Sequence, residues 1–258
     1  MTTSTATLEW CYQPTDLLAE ARTIEAYGAV MVIQDGLARA DLDAATYQAD
    51  SSIPGRLLKT IRACLAPYEH ARGEAMVVDS HPTLTINHRD GRPREIHMQS
   101  SLASIQLRDR IEIQVYRNDV LIHDTTEELR HCLEPESEVL WRHADDELLS
   151  RLIASKNASL GNARDEFTHL YEILEALQAR FGKPPKLTDE LGIEKSKVRK
   201  FHSVCNDPST ASRHRGQAKG PLKEPRAEDY NHARDFAWKM IIAYARWLEK
   251  QSAQGSLV

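Results

Sequence analysis

The chain has 258 residues, of which 41% are hydrophobic and 28% charged, with a formal charge of −5. That balance belongs to a chain that folds around a core rather than a disordered one, and the longest strongly apolar run, residues 27–33, is far too short to cross a bilayer. Cys11, Cys64, Cys132 and Cys205 are dispersed without a C-x-x-C pair, and MTTSTATLEWC has neither a basic nor an apolar leader segment, so a cytoplasmic protein with no membrane partner, secretory leader or disulfide framework is expected.

Residues 1–6 are expected to fray. From residue 8 to about 124 the periodicity is mostly that of strands. Residues 22–34 form one long run with Ile24, Tyr27, Val30, Val32 and Ile33, Asp35-Gly36 suits a tight turn, and residues 37–43 alternate. Together they predict a hairpin. Residues 53–71 interrupt the strands with Leu57, Leu58, Ile61, Leu65 and Tyr68 at helical spacing behind Pro54. Strands are then predicted at 74–79, 83–88, 94–98, 103–107, 111–116 and 120–124, with turn chemistry at 89–92 and 117–119. The first 125 residues therefore predict an antiparallel meander, barrel-like in curvature, with one helix.

After Thr125 the period changes to that of helices. A short connecting helix is expected over 126–133, a helix over 137–156, a loop over 156–163 and a helix over 163–181 that Gly182 ends. The closing helix, 227–251, carries Tyr230, Ala233, Phe236, Ala237, Met240, Ile241, Tyr244 and Leu248 in one stripe, which must be buried for so long a helix to be stable. The fold class read from this order is α+β: a β-rich domain over 1–125, then a helical bundle over 126–258. Trp238 falls off the stripe, which suggests a second apolar face for a partner helix or a homodimer.

The stretch 183–226 holds eleven Lys and Arg against five acids, a local charge of +6 on an acidic chain. A concentrated positive field of that kind attracts phosphates whatever the net charge. Its first part, LTDELGIEKSKVRKF over 187–201, resembles the helix-turn-helix pattern. Gly192 would make the turn, Ile193 and Val198 would enter the core, and Ser196, Lys197 and Lys200 would face a DNA major groove.

Its second part contains Arg213-His214-Arg215-Gly216 followed by Lys219. Two guanidiniums around an imidazole can clamp a phosphate, and the imidazole can exchange a proton near neutral pH. The order of an aromatic and acidic helix (Phe167 to Glu175), a basic Arg/His loop and a long closing helix is similar to HEPN-type helical domains. That resemblance implies a protein of bacterial defence or toxin systems, and a dimeric ribonuclease that needs no metal or other cofactor. In that family an Arg precedes a His by four to six residues; here Arg213 and His214 are adjacent, and Arg199 and His202 are three apart. On the resemblance, Arg213 and His214 would be catalytic, with general acid–base work on a ribose 2′-hydroxyl and Arg stabilising the phosphorane charge. Lys195, Lys197, Arg199, Lys200, His202, Arg215 and Lys219 are the candidate nucleic-acid-binding residues, and RNA the expected partner. A purely structural role would instead pair the loop arginines with Glu172, Glu175 or Asp235.

Two histidine groups carry metal-ligand chemistry, His81 with His88 and His97, and His202 with Cys205 and His214, but neither has a ligand spacing. The chain has no G-x-S-x-G, Walker loop or G-x-G-x-x-G. These residues leave open whether the chain is an enzyme. The readings in competition are an RNA-associated protein with ribonuclease activity, a non-catalytic interaction or oligomerisation protein, and a helix-turn-helix DNA binder.

Overall fold

A computed structural model describes residues 4–18, 20–88, 95–97, 114–117, 120–207, 209–210, 215–217 and 219–255. The architecture is α+β, with an antiparallel sheet in the N-terminal half and helices in the C-terminal half. The chain divides into two compact units, 1–68 with 76–138 and 69–75 with 139–258.

The first unit is built on β1 (Thr5–Gln13), β2 (Arg22–Ala26), β3 (Ala29–Gln34), β4 (Leu37–Asp43), β5 (Val77–Val78), β6 (Thr83–Asn87) and β7 (Glu95–His97), in the order β2-β3-β4-β1-β6-β7 with β5 on β1. A separate hairpin joins β8 (Gln114–Arg117) to β9 (Val120–Asp124). Alternation drives the sheet: β3 is buried at every second residue, Ala29, Met31 and Ile33. Across it, Ala38 and Ala40 of β4 lie between Ile33 and Met31 on one side and Trp10 and Leu8 on the other, so small residues alternate with large ones in each row. The short α1 (Ala44–Ala49) follows, its first amides accepted by Asp43. α2 (Ile53–Arg72) buries Leu57, Ile61 and Leu65. It is tied to β2 and β3 by the Arg22 to Tyr68 hydrogen bond, 3.0 Å, and by Arg56 lying over the Tyr27 ring. The second half of α3 (Thr125–Arg142) joins α2 through the Ser137 hydroxyl, which donates to the Cys64 carbonyl at 2.8 Å.

Several expectations need correction. Residues 5 and 6 are not frayed, because Thr5 and Ala6 pair with β4 and β6 at once. The run 22–34 is two strands, not one. Tyr27 (φ 55°) and Gly28 (φ 74°) turn the chain back, and Arg22–Ala26 pairs with Ala29–Ile33; two positive φ values are the signature of a hairpin turn whose twist matches its strands. The strands expected at 74–79 and 94–98 shorten to Val77–Val78 and Glu95–His97, while that at 103–107 and the start of that at 111–116 lie outside the described residues. The helix expected over 137–156 is broken: α3 carries through Pro135 to Arg142, and α4 (Glu147–Gly161) starts anew where the Asp146 carboxylate accepts from the Leu149 amide at 2.7 Å. The loop expected over 156–163 is helical as far as Gly161, because Lys156 and Ser159 are buried rather than solvated.

The second unit packs α8 (Ala227–Gly255) against α4, α5 (Glu166–Phe181), α6 (Lys186–Leu191) and α7 (Lys195–Asn206). Its buried side chains run nearly around α8: Phe236, Trp238, Met240, Ile241, Ile242 and Tyr244 among them. The Trp238 ring stacks on His70, 4.7 Å between centroids. The face that singled out Trp238 in the sequence is thus covered by residues of its own unit.

Candidate nucleic-acid interface

The geometry of the basic stretch begins with α6. Leu187 and Leu191 are buried, and the chain then turns at Gly192 with φ 63° and ψ 33°, the left-handed conformation that glycine adopts without a Cβ penalty. The Ile193 amide closes the turn by donating to the Thr188 carbonyl at 3.0 Å. Glu194 precedes α7, and its carboxylate receives Lys197 Nζ at 2.7 Å and the Ser196 hydroxyl at 3.3 Å. The Lys197 ammonium holds this carboxyl below its usual range.

α7 has two unlike faces. Val198, Phe201 and Cys205 are buried at the spacing of one helical stripe. The Phe201 ring lies 5.5 Å from Phe236 and 6.4 Å from Tyr171, so α7 is fixed to α8 and α5 through aromatic contacts. Burial pushes the Cys205 thiol up, which leaves it protonated and a packing group. The opposite face carries Lys195, Ser196, Arg199, Lys200 and Ser203, all exposed. Among the described residues no carboxylate is within ion-pair distance of Lys195, Arg199 or Lys200, whereas Lys197 is held by Glu194. Lys200 does act through space on α8: its charge lowers His232 further than burial alone and helps to lower Asp229, whose chief partner is Arg226. His202 is exposed at the edge of the cationic face and meets the Tyr171 ring edge-on at 5.6 Å.

Beyond α7 the chain is pinned at its base. The Asp207 carboxylate accepts from the Ser209 amide and hydroxyl, at 2.9 and 2.8 Å, and the Lys223 amide donates to the Ser209 carbonyl at 2.8 Å. Arg215 opens a single 3-10 turn, Arg215–Gln217, and Lys219 is exposed. Arg213 and His214 lie outside the described residues. The structure thus brings Lys195, Lys197, Arg199, Lys200 and His202 together on one helix. Of the acids named above as structural partners for the loop arginines, Glu172 receives Ser155 at 3.1 Å and His169 at 3.3 Å.

A second polar cluster, which sequence reasoning missed, lies in the interior of the same unit. Glu166 and Arg234 form a two-pronged ion pair, with the Arg234 nitrogens at 2.5 and 2.8 Å, and Glu166 is 2% exposed. Glu69 and Lys156 are equally buried. Asn157 donates to Glu69 at 2.5 Å, while Lys156 Nζ has no hydrogen-bond partner among the described residues. Burial brings the Lys156 ammonium down to about 8 against the pull of Glu69 and Glu166, and burial with the Lys156 charge beside it takes His70 down to about 3. The sequence carried one signal of this cluster: Glu166 and Arg234 are charges adjoining apolar stripe residues, Phe167 and Ala233. Glu69, Lys156 and Glu166 are buried while the Arg234 side chain is 36% exposed, so the carboxylates meet their donors inside the unit and the guanidinium lies at its edge. Among the described residues no three His, Cys, Asp or Glu side chains are placed to hold a metal ion, and no helix is long and apolar enough to cross a membrane.

Comparison with protein-family models, curated proteins and solved structures finds no match to the chain.

Proposed function

We propose that this chain is a nucleic-acid-binding protein whose contact surface is the outer face of α7 together with the basic connection that follows it. One observation carries the reading. Val198, Phe201 and Cys205 fix α7 to the bundle, and the same register turns Lys195, Arg199 and Lys200 outward with no ion pair among the described residues. Cations already neutralised by protein carboxylates would have no reason to attract phosphates; these are available to release counterions from a nucleic acid.

The test is a fluorescence anisotropy titration of the full chain against labelled single-stranded RNA and labelled DNA duplex over a series of salt concentrations. Binding should weaken steeply with salt. Substituting Lys195, Arg199 and Lys200 together by Ala should flatten the log–log salt slope by about 2 to 3, since each phosphate contact contributes roughly 0.7 to 0.9. Absence of binding to either probe, or an unchanged slope in the triple variant, refutes the reading.

A second reading is a HEPN-type ribonuclease, acting as a homodimer through the bundle in a defence- or toxin-like system. It is favoured by the closure between Ser209 and Lys223, which joins the two ends of the segment bearing Arg213 and His214 just beyond the C-terminus of α7. In this reading His214 moves the 2′-hydroxyl proton and Arg213 stabilises the phosphorane. RNA incubated with the chain in the presence of a chelator should be cleaved, and cleavage should vanish in His214→Ala with the fold intact. RNA binding without cleavage ends this reading and leaves the first in place.

A further inference from the structure

We infer that α6 and α7 form a DNA-reading helix-turn-helix, so that the nucleic acid bound through this surface is duplex DNA. The inference rests on the nucleic-acid reading above and names its substrate class. It starts from where the apolar side chains fall. Leu187 and Leu191 on α6 and Val198 and Phe201 on α7 are all buried, Ile193 between them is half-buried, and Gly192 alone sits in the left-handed turn. The connection is three residues, 192–194, within the short turn that this motif requires. Each helix also packs separately on α5 and α8, so the pair is braced from behind and α7 projects its free face.

The chemistry of that face selects among nucleic acids. Single strands are held by stacking their bases on aromatic or other planar groups. The outward residues Lys195, Ser196, Arg199, Lys200 and Ser203 include no aromatic ring, the Tyr171 and Phe236 rings near α7 are buried, and the one exposed ring of α7, His202, lies at the edge of this face against Tyr171, so the face offers no row of rings on which successive bases stack. Duplex RNA presents a major groove too deep and narrow for side chains to read. The DNA major groove, about 12 Å wide, admits an α-helix, and the twelve residues of α7 make a rod about 18 Å long. Docked there, Arg199 and Lys200 reach base edges as hydrogen-bond donors, with Arg suited to a bidentate contact with guanine, and Ser196 and Ser203 are short enough to let the helix approach. Lys183 and Lys186, exposed at the start of α6, fall where the first helix of such a motif crosses the phosphate backbone. Two acids of this region are otherwise occupied, Glu194 by Lys197 and Glu190 by the Trp247 indole at 3.2 Å.

The experiment is selection by the full chain from a library of DNA duplexes with a random core, alongside titration with single-stranded RNA of the same length. An enriched duplex sequence, bound more tightly than the RNA, is expected. Arg199→Ala should weaken that duplex roughly 5- to 150-fold, the range of a single good base contact, and relax the preference at one position. Lys183→Ala should weaken all duplexes alike. Both side chains are exposed, and circular dichroism of each variant should match that of the unsubstituted chain. RNA bound as tightly as duplex DNA, or DNA bound with no enriched sequence, overturns the inference while the nucleic-acid reading stands. Binding to neither probe overturns both.

Discussion

Replacing Lys156 by Met should stabilise the second unit. Lys156 is 2% exposed and its Nζ makes no hydrogen bond among the described residues. Bringing its ammonium from the ordinary 10.5 to about 8 corresponds to about 3 kcal/mol against the charged form at neutral pH. Removing one member of a buried charge pair is ordinarily costly because the other is left alone. Here neither carboxylate is deprived of donors: Glu69 keeps the Asn157 amide and Glu166 keeps both Arg234 nitrogens. Methionine fills a comparable volume with an unbranched apolar chain. Lys156→Met should therefore gain up to about 3 kcal/mol at pH 7, or roughly 6 to 12 °C in the midpoint of thermal unfolding for a unit of this size. The pH dependence has a definite sign. Between about 8 and 10.5 the unfolded chain keeps a proton on Lys156 that the folded one has released, so the stability of the natural chain rises with pH across that window. Calorimetry and denaturant titration from pH 7 to 10.5 should show that rise, and the Met variant should lack it. A variant less stable than the natural chain at pH 7, or one with the same rise, refutes the reasoning.

The acid side is governed by His70. Its imidazole is held neutral down to about 3 by burial and the adjacent Lys156 charge, whereas an unfolded histidine takes up its proton near 6.5. Stability tied to His70 is therefore complete above pH 6.5 and is lost as the pH falls toward 3; in His70→Phe, which keeps a ring against Trp238, the acid transition followed by near-UV circular dichroism should move to lower pH. Gly192→Ala places a Cβ in open space but forces an L-residue to φ 63°, which should cost about 1 to 2 kcal/mol in chemical denaturation; a cost no larger than that of an ordinary surface substitution would show that the turn after α6 is not held in that conformation.

Features that depend on neighbours along the chain can be read from the residues alone. The switch from two-residue to 3.6-residue periodicity near Thr125 marked the α+β order, Asp35-Gly36 and Gly182 marked a turn and a helix end, and the Leu187-to-Phe201 pattern marked a turn between two helices. Each is encoded by a few consecutive residues, so each was legible without coordinates. Which strands lie side by side, with the N-terminal strand β1 at the centre of the sheet, and which charges meet, emerge only when the chain is folded. Glu166 and Arg234 are 68 residues apart, and Glu69 and Asn157 are 88 apart. Lys156 illustrates the physical reason. Its polar neighbourhood over 156–163 reads as a solvated loop, because a sequence shows a lysine's charge and not its burial. Whether that charge costs free energy, and whether the cations of α7 remain open to a phosphate, depends on what the distant parts of the chain place around them.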